Sequence, residues 1–239
     1  MTSFPSFTLY RADGACSRVP HILLRELGAP FTEVMMGFDM SANGLAPKDK
    51  SMTRDEYLEN IHPDGMVPAL QVDGKVIIEM TAVLTYIAAL AEEHGRHGWL
   101  PSDTMQRAKA YEWISWLSGT IHSQAFTALW RPSKFSDDEA AHAGIQAKAR
   151  LMVEGHYGRI EAKLAANEAS GGTRGHAVGG DFTVVDVLVY LFWRWAKHVD
   201  LEKGMVERWP RFAEVARGVE LLDSTKLAMQ IEQQGLWFS

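Results

Sequence analysis

Cys16 is the only cysteine among 239 residues, and it lies where a short apolar strand becomes a helix. The strand is Phe7-Thr8-Leu9-Tyr10, the turn Arg11-Ala12-Asp13-Gly14-Ala15, and the helix is expected over residues 17–27. A thiol at that junction faces unpaired backbone N–H groups and the positive end of the helix dipole. Both favour the thiolate, the nucleophilic form of sulfur. The same position also suits a small buried residue that only fills the junction.

Three other places carry residue types suited to binding. In Ile61-His62-Pro63-Asp64-Gly65-Met66-Val67-Pro68-Ala69-Leu70, a proline opens an apolar run. Proline cannot donate to a sheet ladder, so Val67-Pro68 marks either an edge or a cis bend. A cis bend leaves the N–H and C=O of Val67 to pair with an extended, peptide-like ligand. Glu79 directly follows the run 76–78 and opens the next helix. Its carboxylate suits a ligand ammonium, and the helix N–H groups suit a ligand carboxylate, together the α-amino-acid end of a substrate. An acidic residue that merely compensates the helix dipole would look the same. Farther on, Ser115, Gly119, His122 and Phe126 share one face of an expected α-helix, and the glycine leaves space there. Trp113, Trp116 and Trp130 read as core residues.

The elements that must position these residues divide into two kinds. Gly28 closes the first helix as a C-cap, and a second strand is expected at 31–36. A polar stretch with glycine and proline follows at 39–51. Thr53-Arg54-Asp55-Glu56 is a capping box that opens a short helix to residue 61. Runs 69–72 and 76–78 flank Asp73-Gly74-Lys75 and predict a hairpin. A helix is then expected over 80–93, with Val83, Leu84, Ile87 and Leu90 on one face. The order β-α-β-α-β-β-α packs as a mixed sheet covered by helices. Residues 94–103, with Gly95, Gly98 and Pro101, read as a linker. Beyond it, helices are expected at 104–128, 137–166, 184–199 and 208–233, the last with a break. Capping boxes are expected at 136–139 and 183–186, and residues 171–180 form a glycine-rich loop.

Composition narrows the class. The chain is 46% hydrophobic and 23% charged, with net charge −6, a globular balance without the basic cluster of a nucleic-acid binder. One cysteine permits no internal disulfide and suggests a reducing compartment, and no Cys/His cluster suggests a metal. No segment approaches the length of a membrane span, and the start Met1-Thr2-Ser3-Phe4-Pro5 lacks signal-peptide character. A cytoplasmic protein is expected.

Taken together, these positions resemble a known family. Gly14-Ala15-Cys16-Ser17-Arg18-Val19-Pro20-His21 is similar to the active-site segment of the bacterial, beta-class glutathione transferases. The stretches 63–70 and 79–84 resemble the two glutathione-binding segments of transferases in general. Glu112-Trp113 through His122 to Trp130-Arg131-Pro132 resembles the beta-class first helix of the C-terminal domain, including its active-site histidine. Asp181-Phe182-Thr183-Val184-Val185-Asp186 resembles that domain's capping box, and the likeness spans nearly the whole chain. It implies an α/β thioredoxin-like N-terminal domain (1–93), the linker (94–103), an all-α helical C-terminal domain (104–239) and a homodimer.

The resemblance also implies glutathione as co-substrate, its cysteinyl backbone against Val67 and Pro68 and its γ-glutamyl group near Glu79 and Met80. Cys16 would contact glutathione and can form a mixed disulfide with it, and His122 would be the active-site imidazole. Three departures stand out. Met80 replaces a hydroxyl residue, leaving only its backbone N–H for the γ-glutamyl carboxylate. Ser115 and Ser123 replace an asparagine and a lysine, which implies weaker affinity. The segment 37–54 is longer than typical and leaves both Lys48 and Lys50 open as partners of the glycyl carboxylate.

The activity this implies is conjugation of glutathione to small electrophiles by thiolate attack. The helix end, Cys16, Ser17 and His122 would stabilise the thiolate, with Tyr10 as an alternative donor. Lowering a thiol pKa by about two units needs roughly 2.7 kcal/mol, within reach of a few directed donors. Two other readings stay open: a glutathione-dependent thiol-disulfide reductase using Cys16 by a monothiol route, and a non-catalytic binding module.

Overall fold

A computed structural model describes residues 3–40 and 44–238. The chain divides into two compact units, Met1–Trp99 with Glu220–Ser239, and Leu100–Val219.

The first unit is built on β1 (Phe7–Arg11), α1 (Arg18–Leu27), β2 (Thr32–Asp39), β3 (Gly44–Pro47), α2 (Arg54–Asn60), β4 (Ala69–Val72), β5 (Lys75–Ile78) and α3 (Met80–Glu93). Its sheet has the order β3-β2-β1-β4-β5. β1 and β2 are parallel, which requires a crossover, and α1 supplies it. The other three pairings are antiparallel. Alternation along β1 sends Tyr10 into an apolar cluster with Val34, Met36, Tyr57, Ile61, Val67 and Ala69, and Leu9 to the opposite face. This is a thioredoxin-like α/β domain. Gly28 caps α1 at φ +73°, its N–H bonding back to Leu24 and Arg25, and the Thr53–Glu56 box is formed.

The polar stretch after the second strand differs from expectation. β2 runs on to Asp39, and a further strand, β3, pairs Leu45 with Phe38 and Ala46 with Gly37. Four residues, Gly44–Pro47, are too short a run to stand out as a strand among glycine and proline. Residues 41–43, the middle of the expected loop, lie outside the described residues, as does Met1-Thr2 of the expected leaderless start.

The second unit is helical: α4 (Thr104–Ser115), a π-helical segment (Trp116–Phe126), α5 (Thr127–Trp130), α6 (Glu139–Ala169), α7 (Val184–Trp195) and α8 (Met205–Arg208). α9 (Pro210–Leu221) runs across the division, and α10 (Asp223–Ile231) belongs to the first unit. Three expected helices are therefore subdivided. The one over 104–128 widens into a π-helix, that over 184–199 ends in a 3₁₀ turn at Ala196–His198, and that over 208–233 breaks at Leu222, whose backbone is extended. The expected box at 136–139 is also corrected, because Asp138 is the N-cap and accepts from the Ala140 N–H at 3.0 Å. The expected C-terminal domain of 104–239 loses its last twenty residues to the first unit, where α10 packs on α1. No helix among the described residues is long and apolar enough to cross a membrane.

Every residue of α7 is buried, so its N-terminus must find its hydrogen bonds inside the protein. Asp186 ties that end to its N-cap and to the preceding loop, accepting from the N–H of Thr183 at 2.7 Å and of Ala177 at 2.6 Å. Asp186→Ala orphans both buried donors and is expected to cost about 2–4 kcal/mol. A urea midpoint unchanged by this substitution would show that the cap carries no such weight.

Candidate active site

Strand register brings three of the expected residues to one end of the first unit's sheet. Tyr10 pairs with Ala69, and Ala69 with Ile78. The turn after β1, the residues before β4 and the residue after β5 therefore emerge side by side. Those segments carry Cys16, Val67 and Glu79. The Val67–Pro68 bond is cis, and Cys16 Sγ donates to the Val67 carbonyl at 3.1 Å. Cys16 is buried, one residue before the N-cap of α1, Ser17.

Ser17 is fully buried, and its hydroxyl accepts from Ala12 N–H at 3.0 Å and donates to the Ala12 carbonyl at 3.2 Å. It braces the turn ahead of Cys16. Tyr10 packs against Tyr57, ring centroids 5.4 Å apart, and burial raises its phenol above the ordinary value. Glu79 is exposed, at φ +70°, and its carboxylate does not cap its own helix. A non-glycine residue in that left-handed region is a strained one, a feature concentrated at ligand sites. Met80, buried behind it, begins α3, where the leading N–H groups have no intrahelical acceptor. Lys50 is exposed, and Lys48 lays its methylenes across Gly37, where a Cβ would come within 2.8 Å of Cε.

Ser115 and His122 belong to the second unit. The face they were expected to share with Gly119 and Phe126 does not form. In the π-helix the Thr127 N–H reaches back five residues to His122, so α-helical spacing no longer stacks these positions. Ser115 and Gly119 are exposed, His122 is half-buried and Phe126 is fully buried. The His122 ring lies 5.0 Å from that of Trp195, in a cluster with Phe126, Trp130 and Phe192. Burial and the charge of Arg131 push the imidazole down to about 4, so His122 is neutral near pH 7 and offers one N–H.

Sequence reasoning missed the charge network behind Cys16. Glu232 Oε2 accepts from the Gly14 N–H at 3.0 Å and from Arg18 Nε and Nη2 at 2.9 and 2.7 Å, while Oε1 meets His21 Nδ1 at 3.1 Å. The other His21 nitrogen lies 3.4 Å from Glu33, which also pairs with Arg11 and Arg25. Burial pushes the Glu232 carboxyl up, but His21, Arg18 and the Gly14 N–H together outweigh it and hold it at about 2. Arg18, His21 and Arg25 lie on one stripe of a largely apolar helix, which was the available signal. Nothing local pointed to Glu232, 214 residues from Arg18. Among the described residues no group of three or more His, Cys, Asp or Glu is placed to hold a metal.

A thiol, a cis-proline backbone and a carboxylate beside a helix start thus stand together at one end of a thioredoxin-like sheet. Residues 14–90 match the family described as glutathione S-transferase, N-terminal domain. Glutathione S-transferase GstA of Escherichia coli O157:H7 is 30% identical over 195 residues, covering 81% of this chain and 84% of that protein. A sphingomonad glutathione S-transferase complexed with glutathione superposes with a TM-score of 0.72 at 28% identity, covering 95% of this chain and all of that one. The bacterial beta-class glutathione S-transferase of Sphingomonas chungbukensis gives 0.73 at 28% identity, covering 94% and 98%. The chain belongs to the glutathione S-transferase family.

Proposed function

We propose that the protein conjugates glutathione to small electrophiles, acting in the cytoplasm as a homodimer with a role in detoxification. The observation that carries this reading is the convergence of Cys16, the Val67 backbone and Glu79 on one sheet end. Glutathione would lie extended against Val67, its γ-glutamyl ammonium on Glu79 and its α-carboxylate on the N–H groups that begin α3, including that of Met80. Its sulfur then sits beside Cys16 and the start of α1, where directed donors and the helix end favour a thiolate. The neutral His122 imidazole is assigned an assisting N–H by the family resemblance. The thiolate attacks the electrophilic atom, a carbon–sulfur bond forms, and the leaving group departs with its electron pair.

The Cys16–Val67 contact also supports a second reading, thiol-disulfide exchange. The Cys16 thiolate attacks a glutathione mixed disulfide and expels the other thiol. A second glutathione thiolate then attacks the resulting Cys16–glutathione disulfide, releasing oxidised glutathione and restoring the thiol. Assaying an activated aryl halide and a glutathione mixed disulfide side by side tests the choice. Conjugation as the dominant turnover supports the first reading, disulfide reduction alone the second, and neither activity would leave a binding module.

The homodimer has its own check. Light scattering is expected to give twice the 26.7 kDa chain mass at micromolar concentration. A single chain mass throughout that range contradicts it.

A further inference from the structure

Three hydrogen bonds tie down the turn between α2 and Val67, and one of them depends on a protonation state. The Gly65 N–H donates to the His62 carbonyl at 2.8 Å, and Tyr57 of α2 donates its hydroxyl to the Met66 carbonyl at 2.7 Å. The third runs from the Asp64 N–H to His62 Nδ1 at 3.2 Å. His62 is itself buried, 4% exposed, with its own N–H on the Tyr57 carbonyl at 2.9 Å. The imidazole thus takes the part that asparagine or aspartate plays in many turns, accepting from the backbone two residues on. Gly65, at φ +62°, completes the bend into Met66 and Val67.

A ring nitrogen that accepts carries no proton, so this bond requires the neutral imidazole with its hydrogen on Nε2. Protonation at Nδ1 would set one N–H against another. Burial pushes the ring below its ordinary 6.5 and outweighs Asp64 in the turn and Glu79 after β5, whose carboxylates pull the other way. From α2 the turn is faced by Tyr57, whose phenol burial raises above its ordinary value, and by the Arg54 guanidinium, which rests against Gly65. The Asp64 bond is therefore fully present above pH 6.5 and is lost as pH falls through the lower folded value. We propose that His62 positions the Val67 backbone for glutathione through its bond to the Asp64 N–H, and that protonating His62 loosens the turn and weakens binding. The inference rests on the transferase reading above. His62 is a positioning residue, acting through the turn rather than on the ligand. Glutathione keeps its own charges between about pH 5 and 7, since its carboxyls titrate lower and its ammonium and thiol higher. A loss of affinity in that window therefore reports on the protein.

Calorimetric glutathione titrations at pH 7 and pH 5 test it on the parent, His62→Asn and His62→Ala. The parent is expected to bind about three- to tenfold more weakly at pH 5, the equivalent of one hydrogen bond. His62→Asn supplies an acceptor that does not titrate, so it should retain most of the parent's pH 7 affinity and hold it at pH 5. His62→Ala should bind weakly at both. Equal parent affinity at the two pH values overturns the proposal. So does the same decline in His62→Asn, or undiminished affinity of His62→Ala at pH 7. Hydrogen exchange of the Asp64 amide in the unliganded protein gives a second reading. Its protection should fall from pH 7 to pH 5 in the parent and hold in His62→Asn. Unchanged protection in the parent overturns the proposal whether or not glutathione binds. A parent that binds no glutathione at pH 7 overturns the transferase reading itself, and the exchange result then still decides the role of His62 in the turn.

Discussion

Glu232→Gln is expected to lower folding stability by about 3–5 kcal/mol, the cost of breaking a buried ion pair by removing one partner. The substitution keeps the shape of the side chain but leaves Arg18, 1% exposed, and His21, fully buried, without their shared carboxylate. It also weakens the tie to the Gly14 N–H, and with it the turn that presents Cys16. Catalysis should therefore fall along with stability. The pH dependence has a defined sign. The carboxyl is held at about 2, below its ordinary 4.5, so its contribution is fully present above about pH 4.5 and is lost as pH falls through 2. Urea midpoints of parent and variant should be far apart at pH 7 and converge toward pH 2. A constant gap, or none at pH 7, would contradict this account of the network.

Cys16→Ala is expected to reduce mixed-disulfide turnover to background, because the protein contains no other thiol. Conjugation should fall much less. There the attacking sulfur belongs to glutathione, and the backbone N–H groups at the start of α1 survive the substitution. Loss of one hydrogen-bonding side chain corresponds to about 1 kcal/mol, or roughly fivefold in rate. Retention of full activity in both reactions would make Cys16 structural. Activation of glutathione would then have to come from the helix end, since Tyr10 lies in the apolar cluster and the Ser17 hydroxyl is bonded to Ala12. His122→Asn in the same assays separates the imidazole's contribution from that of Cys16.

Much of this site was legible because its signals are local. A cysteine at a strand–helix turn, a proline before a short strand and a glutamate between strand and helix can each be read within ten residues. The pairing of Tyr10 with Ala69 and Ala69 with Ile78 then brings them together. What escaped was non-local or written in backbone geometry. Glu232 is joined to α1 only by the folded chain. The π-helix at Trp116–Phe126 has no compositional mark, so α-helical spacing gave His122 the wrong neighbours. Ser17 was expected to face the ligand, but a hydroxyl in a tight turn has backbone groups closer at hand. β3 was hidden because four residues with glycine and proline at the ends look like the loop around them.

The most direct test of the central claim is a glutathione titration of the parent and of Glu79→Gln by calorimetry. If glutathione lies along Val67 with its ammonium on Glu79, the parent binds it and the variant binds it about ten- to a hundredfold more weakly. That range is the equivalent of one charge-assisted hydrogen bond of about 1.5–3 kcal/mol. Equal affinity in the two proteins would contradict the placement, and no binding by the parent would contradict the function.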